Sequence, residues 1–100
     1  MKLVINGKYG GFSLSPYARK KLSRKTGKIL DEYDECYFER DDYYLISTIE
    51  ECEKEGKNAS GYNALVYIVE IPDEVTDYKI MDYDGNETLL YVLDGKIHYA

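Results

Sequence analysis

Two Asp-Gly pairs constrain the fold of this chain more than any other feature of its sequence. Asp84-Gly85 and Asp94-Gly95 separate three segments of strand-forming residues, DYKIMDY, NETLLYVL and KIHYA. Asp-Gly is a preferred pair for a two-residue hairpin turn, because both central residues of a type I′ turn need a positive φ. The sequence therefore predicts a three-stranded antiparallel meander with two tight turns.

Two helices are indicated by signals at both of their ends. Ser15 can cap the first helix, PYARKKLSRKT, which begins with a proline at its favoured position and ends before Gly27. The second helix, YYLISTIEECEKE, can be capped by Asp41 or Asp42 and stops at Gly56. These start and stop signals predict helices over residues 16–26 and 43–55.

Further strands are predicted from short apolar runs. KLVI at residues 2–5 is typical of a buried strand, and YNALVYIVEI at 62–71 is apolar on both alternating faces, which favours a central strand. CYF at 36–38 could add another short strand inside an acidic loop. We therefore expect one α+β domain over residues 1–100, a small single domain with a mostly antiparallel sheet and two helices packed on one face.

The net charge of −6 conceals a strong asymmetry along the chain. Residues 1–30 carry eight Lys and Arg and no Asp or Glu, whereas residues 31–100 carry five Lys and Arg and all nineteen acids. Such a difference either indicates a charged partner or means that the basic and acidic parts face each other in the fold. The acidic total argues against direct binding of nucleic acid.

The two cysteines, Cys36 and Cys52, are far apart and form no CxxC pair. Neither a signal sequence nor an apolar run long enough for a membrane span is present, so we expect a reduced, cytoplasmic protein whose thiols pack as small hydrophobic groups. Self-association stays open, since no heptad repeat or exposed apolar stripe demands it.

The glycine-rich segment KYGGFSLSPYARKK, residues 8–21, is the candidate ligand site. Adjacent glycines can point successive backbone N–H groups at one anion, and the following helix start adds N–H groups and a positive dipole end. Hydroxyls and cations nearby could hold a phosphate, and Tyr9 or Phe12 could stack on a base. The alternative is a turn that only starts a helix. The candidate binding residues are Lys8, Tyr9, Gly10, Gly11, Phe12, Ser13, Ser15, Arg19 and Lys20.

A second candidate surface is the acidic, Tyr-rich segment at residues 31–44. Its charge and aromatic rings could imitate nucleic acid and bind the basic groove of another protein, although a solvated loop explains the same pattern. It lacks the spacing of a calcium loop, so no metal site is predicted. Its members are Asp31, Glu32, Tyr33, Asp34, Glu35, Tyr37, Glu39, Asp41, Asp42, Tyr43 and Tyr44.

Catalysis has little support in the sequence. His98 is the only histidine, and nothing in its spacing from either cysteine predicts a nucleophile and base pair. The glycine segment matches neither GxxxxGK[ST] nor GxGxxG, so no cofactor is predicted. We expect a non-enzyme that binds a partner.

The segment VINGKYGGFSLSPYA resembles the opening of a family of small phage and prophage proteins, typically I-N-x-x-Y-G-G-F-x-L-S followed by a helix. RDDYYL, YIVEIPDEV and the Y-D-G hairpin fit the same pattern, and the basic first helix departs from it. The resemblance implies a protein that counters host defence in the host cytoplasm. It would sequester a phosphorylated nucleotide-like signal at the glycine segment or, alternatively, inhibit a defence protein such as a CRISPR effector through the acidic surface.

Overall fold

A computed structural model describes residues 1–31, 34 and 38–100 of the chain. Its helices and strands confirm an α+β domain. In chain order the elements are β1 (Lys2–Asn6), α1 (Pro16–Thr26), α2 (Tyr43–Glu55), β2 (Val66–Glu70), β3 (Asp77–Tyr83), β4 (Asn86–Leu93) and β5 (Lys96–Tyr99).

Both helices have the bounds that their end signals predict. The Ser15 hydroxyl accepts a hydrogen bond from the Ala18 N–H at 3.1 Å, and the Asp42 carboxylate accepts one from the Leu45 N–H at 3.0 Å. Each helix is followed by a C-cap glycine in the left-handed conformation, whose N–H donates to a carbonyl of the last turn. Of the two capping residues considered for α2, Asp42 is therefore the one used.

The predicted meander and its two tight turns are confirmed. Strands β3, β4 and β5 are antiparallel neighbours, with Ile80 opposite Leu89 and Val92 opposite Ile97. At the first turn Asp84 and Gly85 have φ of 50° and 90°, and the second Asp-Gly turn is likewise positive at both positions. These values are the ones that the two-residue turns require.

The strands form two sheets, which corrects the expectation of a single sheet. β1 and β2 pair antiparallel as a two-stranded sheet, with Ile5 opposite Tyr67, separate from the meander. β2 is also shorter than the predicted 62–71 strand, because Tyr62 is 91% exposed and Asn63 adopts a positive φ of 55° in a turn. Within the described chain β2 has β1 as its one strand partner, so it is not a central strand.

The two-stranded sheet is instead the middle of three layers. Val4 and Val66 on one face pack with α1 and α2, whereas Leu3 and Ile5 on the other face pack with Leu89 of the meander. Burying each such aliphatic side chain contributes roughly 1.5–3 kcal/mol. The apolar character of both faces of 66–70 is thus explained by layers above and below rather than by strands on either side.

The remaining sequence expectations concern the loop and the cysteines. Most of the possible 36–38 strand, including Cys36, lies outside the described residues. Cys52 is a free thiol buried in the core against the helices, as predicted for a small hydrophobic group. Among the described helices, none is both long and apolar enough to cross a membrane.

Candidate functional site

The glycine loop, residues 7–14, is seated on the β3–β4 turn. The Gly10 N–H donates to the Asp84 carbonyl at 2.9 Å. A β-carbon on Gly85 would overlap the Gly11 backbone, so the two segments are in direct main-chain contact. The conformation of the loop therefore depends on a turn more than seventy residues away in the chain.

Asn6 fixes this arrangement from inside. Its side chain is fully buried, and its Nδ2 donates to the Lys8 carbonyl at 2.9 Å and to the Gly85 carbonyl at 2.6 Å. Its Oδ1 accepts from the Leu65 N–H at 2.8 Å. The sequence gives no sign of these contacts, because Asn6 simply follows the predicted 2–5 strand in an Asn-Gly pair and its partners lie far along the chain.

The Phe12 ring packs against other parts of the protein instead of being open to solvent. The Arg40 guanidinium lies 3.9 Å from the centre of its ring, within the range of a cation–π contact. Arg40 in turn makes two hydrogen bonds of 2.6 Å to the buried carboxylate of Glu87. Phe12 is also partly buried against the core, so stacking a base on the ring face that Arg40 covers would have to displace Arg40.

Ser15 and the start of α1 are also largely used by the protein itself. The Ser15 hydroxyl donates to the Asn58 carbonyl at 2.7 Å while it accepts from Ala18. Pro16 has no N–H, and the Arg19 N–H closes the first turn on the Ser15 carbonyl. At the N-terminus of α1, the Tyr17 N–H is therefore the main backbone donor left for a ligand.

A depression of about 520 Å³ lies beside the glycine loop and brings part of the predicted site together. Ser13 and Arg19 stand at its wall, and the Arg19 guanidinium also donates to the Leu14 carbonyl at 3.2 Å. Its volume falls in the range of small-molecule sites. The lining residues are Gly10, Ser13, Leu14, Pro16, Arg19, Gly61 and Tyr62.

The other predicted site residues do not line this depression. Tyr9 is 58% exposed and meets Tyr83 edge to face, with ring centres 6.2 Å apart. Lys8 and Lys20 are exposed on the surface. The residues outside the lining are Lys8, Tyr9, Gly11, Phe12, Ser15 and Lys20.

Tyr62 is one of four lining residues, with Leu14, Pro16 and Gly61, that the sequence does not mark as site residues. With 91% of its surface exposed, its ring is available as a stacking platform. The segment is positioned by Gly61, whose N–H donates to the Ser13 carbonyl at 2.9 Å and which sits too close to Ser13 for a β-carbon. Because of its apolar neighbours, the sequence places Tyr62 in the predicted 62–71 strand rather than at a ligand site.

The basic helix α1 and the glutamate-rich helix α2 face each other for part of their length. Lys21 lies 3.3 Å from the Glu55 carboxylate, and Lys25 pairs with Glu51. The hydrogen bond from Lys25 holds the pKa of Glu51 below its ordinary value of 4.5. Internal pairing, one of the two explanations of the charge asymmetry, thus accounts for these cations of α1.

The acidic, Tyr-rich segment is described only in part. Glu32, Tyr33, Glu35 and Tyr37 lie outside the described residues. At its end, the exposed rings of Tyr43 and Tyr44 meet edge to face with centres 5.6 Å apart.

Of the groups considered for catalysis, Cys36 lies outside the described residues, and His98 and Cys52 lie in different layers. His98 stacks on Tyr91 in the meander at 5.2 Å, whereas Cys52 lies in the helical core, where burial raises the pKa of its thiol. Within residues 1–31, 34 and 38–100, no three His, Cys, Asp or Glu side chains are grouped closely enough to hold a metal ion.

Comparison with known proteins returns no relative: neither a family model nor a curated protein matches the chain, and no solved structure matches its fold. Function is therefore inferred from the geometry of the site.

Proposed function

We propose that this protein is a non-catalytic binding protein that takes up a phosphorylated, nucleotide-like small molecule in the depression beside the glycine loop. The observation that supports the proposal is the meeting of Ser13, Arg19 and Tyr62 around one open volume of about 520 Å³. A hydroxyl, a guanidinium and an exposed aromatic ring are the groups that a phosphate and a planar base need. The resemblance to phage proteins supports the further part of the proposal, that the protein sequesters a nucleotide signal of host defence.

The phosphate position differs from the one expected at the helix end. The Ser15 hydroxyl already makes hydrogen bonds with the Ala18 N–H and the Asn58 carbonyl. We therefore assign the phosphate to Arg19 and Ser13 instead. Arginine suits this task because its planar fork can give two parallel hydrogen bonds to one phosphate. The base then lies against the Tyr62 ring.

Binding is tested by a thermal-shift screen of cyclic and linear nucleotides, ADP-ribose derivatives, inorganic phosphate and sulfate, followed by calorimetry on any hit. Tyr62→Ala should weaken binding of the hit by about 1–3 kcal/mol, the usual contribution of one stacked base. Tyr43→Ala removes another largely exposed tyrosine, which lies outside the depression, and should leave affinity unchanged.

Arg19→Ala should abolish the dependence of affinity on the ligand's phosphate, whereas Arg24→Ala, an exposed arginine of the same helix, should not. Absence of any shift across the panel, or full affinity in the Tyr62 variant, would contradict the proposal. Inhibition of a defence protein through the acidic surface stays a prediction, since much of that surface lies outside the described residues.

A further inference from the structure

The outer face of the β3–β4–β5 meander exposes several large apolar side chains where a sheet covered on one side should be mostly polar. Its inner face packs on the core through Leu89 and Ile80. On the outer face Ile97 is 65% exposed and Tyr99 72% exposed. An antiparallel sheet with one solvated face normally alternates apolar and polar residues, so this pattern indicates a second covered face.

The strand register arranges this outer face in two rows across the sheet. Asp77, Val92 and Ile97 lie side by side in one row. The neighbouring row, two residues along each strand, contains Lys79, Leu90 and Tyr99. Side chains of both rows point to the same face because the side-chain period of a strand is two.

We propose that this face binds the same face of a second copy of the chain, around a two-fold axis that crosses the strands midway between the two rows. Such an axis places each row on the other row of the partner copy. Asp77 then faces Lys79, Val92 faces Leu90 and Ile97 faces Tyr99, so an acid meets a base and apolar groups meet apolar groups. A surface that is complementary to itself under a two-fold rotation is what an isologous dimer requires.

The area of the face is sufficient for such a contact. Covering Ile97, Tyr99 and the half-exposed Met81 together with their neighbours would remove on the order of 1,000 Å² of surface from the two copies, the lower bound for a specific interface. A shallow hollow of about 190 Å³ lined by Leu90, Val92 and Ile97 among others gives these side chains a place to interdigitate. The dimer should therefore be reversible and dependent on concentration.

The oligomeric state is measured by sedimentation equilibrium and light scattering over micromolar to millimolar concentrations. We expect a reversible monomer–dimer equilibrium. A protein that stays monomeric throughout this range overturns the proposal.

Charge reversal tests the face and the axis together. Lys79→Asp places Asp77 against an aspartate of the partner copy, and Asp77→Lys places two lysines together, so each variant alone should dimerise roughly tenfold or more weakly. Mixing the two variants pairs every acid with a base again and should restore dimerisation as a heterodimer. Both positions are exposed, so the fold tolerates the changes.

Lys96→Asp is the matched control, because this exposed lysine of β5 alternates to the other side of the sheet. It should dimerise like the parent protein. Equal dimerisation by all variants, or no gain on mixing the two reversed variants, excludes this face as the interface. The result is independent of nucleotide binding, since the depression at Tyr62 lies outside both rows.

Discussion

The contacts of some residues in this protein can be predicted from their neighbours in sequence, whereas the contacts of others cannot. Ser15 as a helix cap belongs to the first group, because its partner Ala18 is three residues away. Asn6, Arg40 and Glu87 belong to the second, since their partners are up to 81 residues distant. Nothing in the local sequence marks such a contact.

Gly85 shows how a local and a distant requirement meet at one position. Gly85 and Gly95 follow an aspartate in equivalent turns with φ of 90° and 74°, but only Gly85 contacts the glycine loop. Gly95→Ala should cost about 1–2 kcal/mol, the ordinary cost of a left-handed alanine. Gly85→Ala should cost about 1–3 kcal/mol more, because its β-carbon also overlaps Gly11. Denaturant unfolding of both variants compares them, and equal losses would show that the loop is not seated on this turn.

Helices and hairpins were predictable as elements, whereas the pairing of strands into sheets was not. Capping residues and Asp-Gly turns act over a few residues, so α1, α2 and the meander have nearly the bounds their sequences predict. The prediction for 62–71 was too long, because its apolar pattern continues through a turn at Asn63. The division into two sheets depends on which layers cover β1 and β2. The hydrophobic periodicity of a strand shows which faces are buried but not which element covers them.

The contact between α1 and α2 should depend on pH through Glu51. Lys25 lowers the pKa of Glu51 in the folded state, so this pair stabilises the fold above the ordinary pKa of 4.5 and loses its effect as the pH falls through the lower, folded value. A double-mutant cycle of Lys25→Ala and Glu51→Ala should give a coupling at pH 7 that vanishes in strong acid.

Lys20→Ala, an exposed lysine of the same helix, should leave the pH dependence of unfolding unchanged. A Lys25–Glu51 coupling of the same size at both pH values would contradict the ion-pair explanation.

At the scale of the whole molecule, the ion pair between the partly buried Arg40 and the buried Glu87 connects the layers. Arg40 binds Glu87 of the meander and the Val4 carbonyl of β1 at 3.1 Å, while the Asn6 N–H of β1 donates to Glu87 at 2.7 Å. The Glu87 side chain is only 5% exposed. The overall class could be predicted from the order of elements, but this bridge between two sheets could not.

Removing the charge of Glu87 should therefore loosen two layers at once. Glu87→Gln keeps the shape and an acceptor for Asn6 but leaves Arg40 without its counter-charge, which should cost about 3–5 kcal/mol. Equilibrium unfolding measures the loss. Arg40→Met and the double variant complete the cycle. The double variant should lose clearly less unfolding free energy than the sum of the losses in the two single variants, because neither charge is left without its partner. Additive losses would mean that the two side chains are not coupled.

The seating of the glycine loop on the Asp84–Gly85 turn also bears on synthesis. A chain leaving the ribosome exposes residues 10–11 early, and the turn that receives them follows only after more than seventy further residues. The first segment to be made is thus among the last to acquire its final shape. The glycine loop can adopt its final conformation only once the β3–β4 hairpin has been translated, so a chain that terminates before Gly85 would lack the contacts that hold the loop.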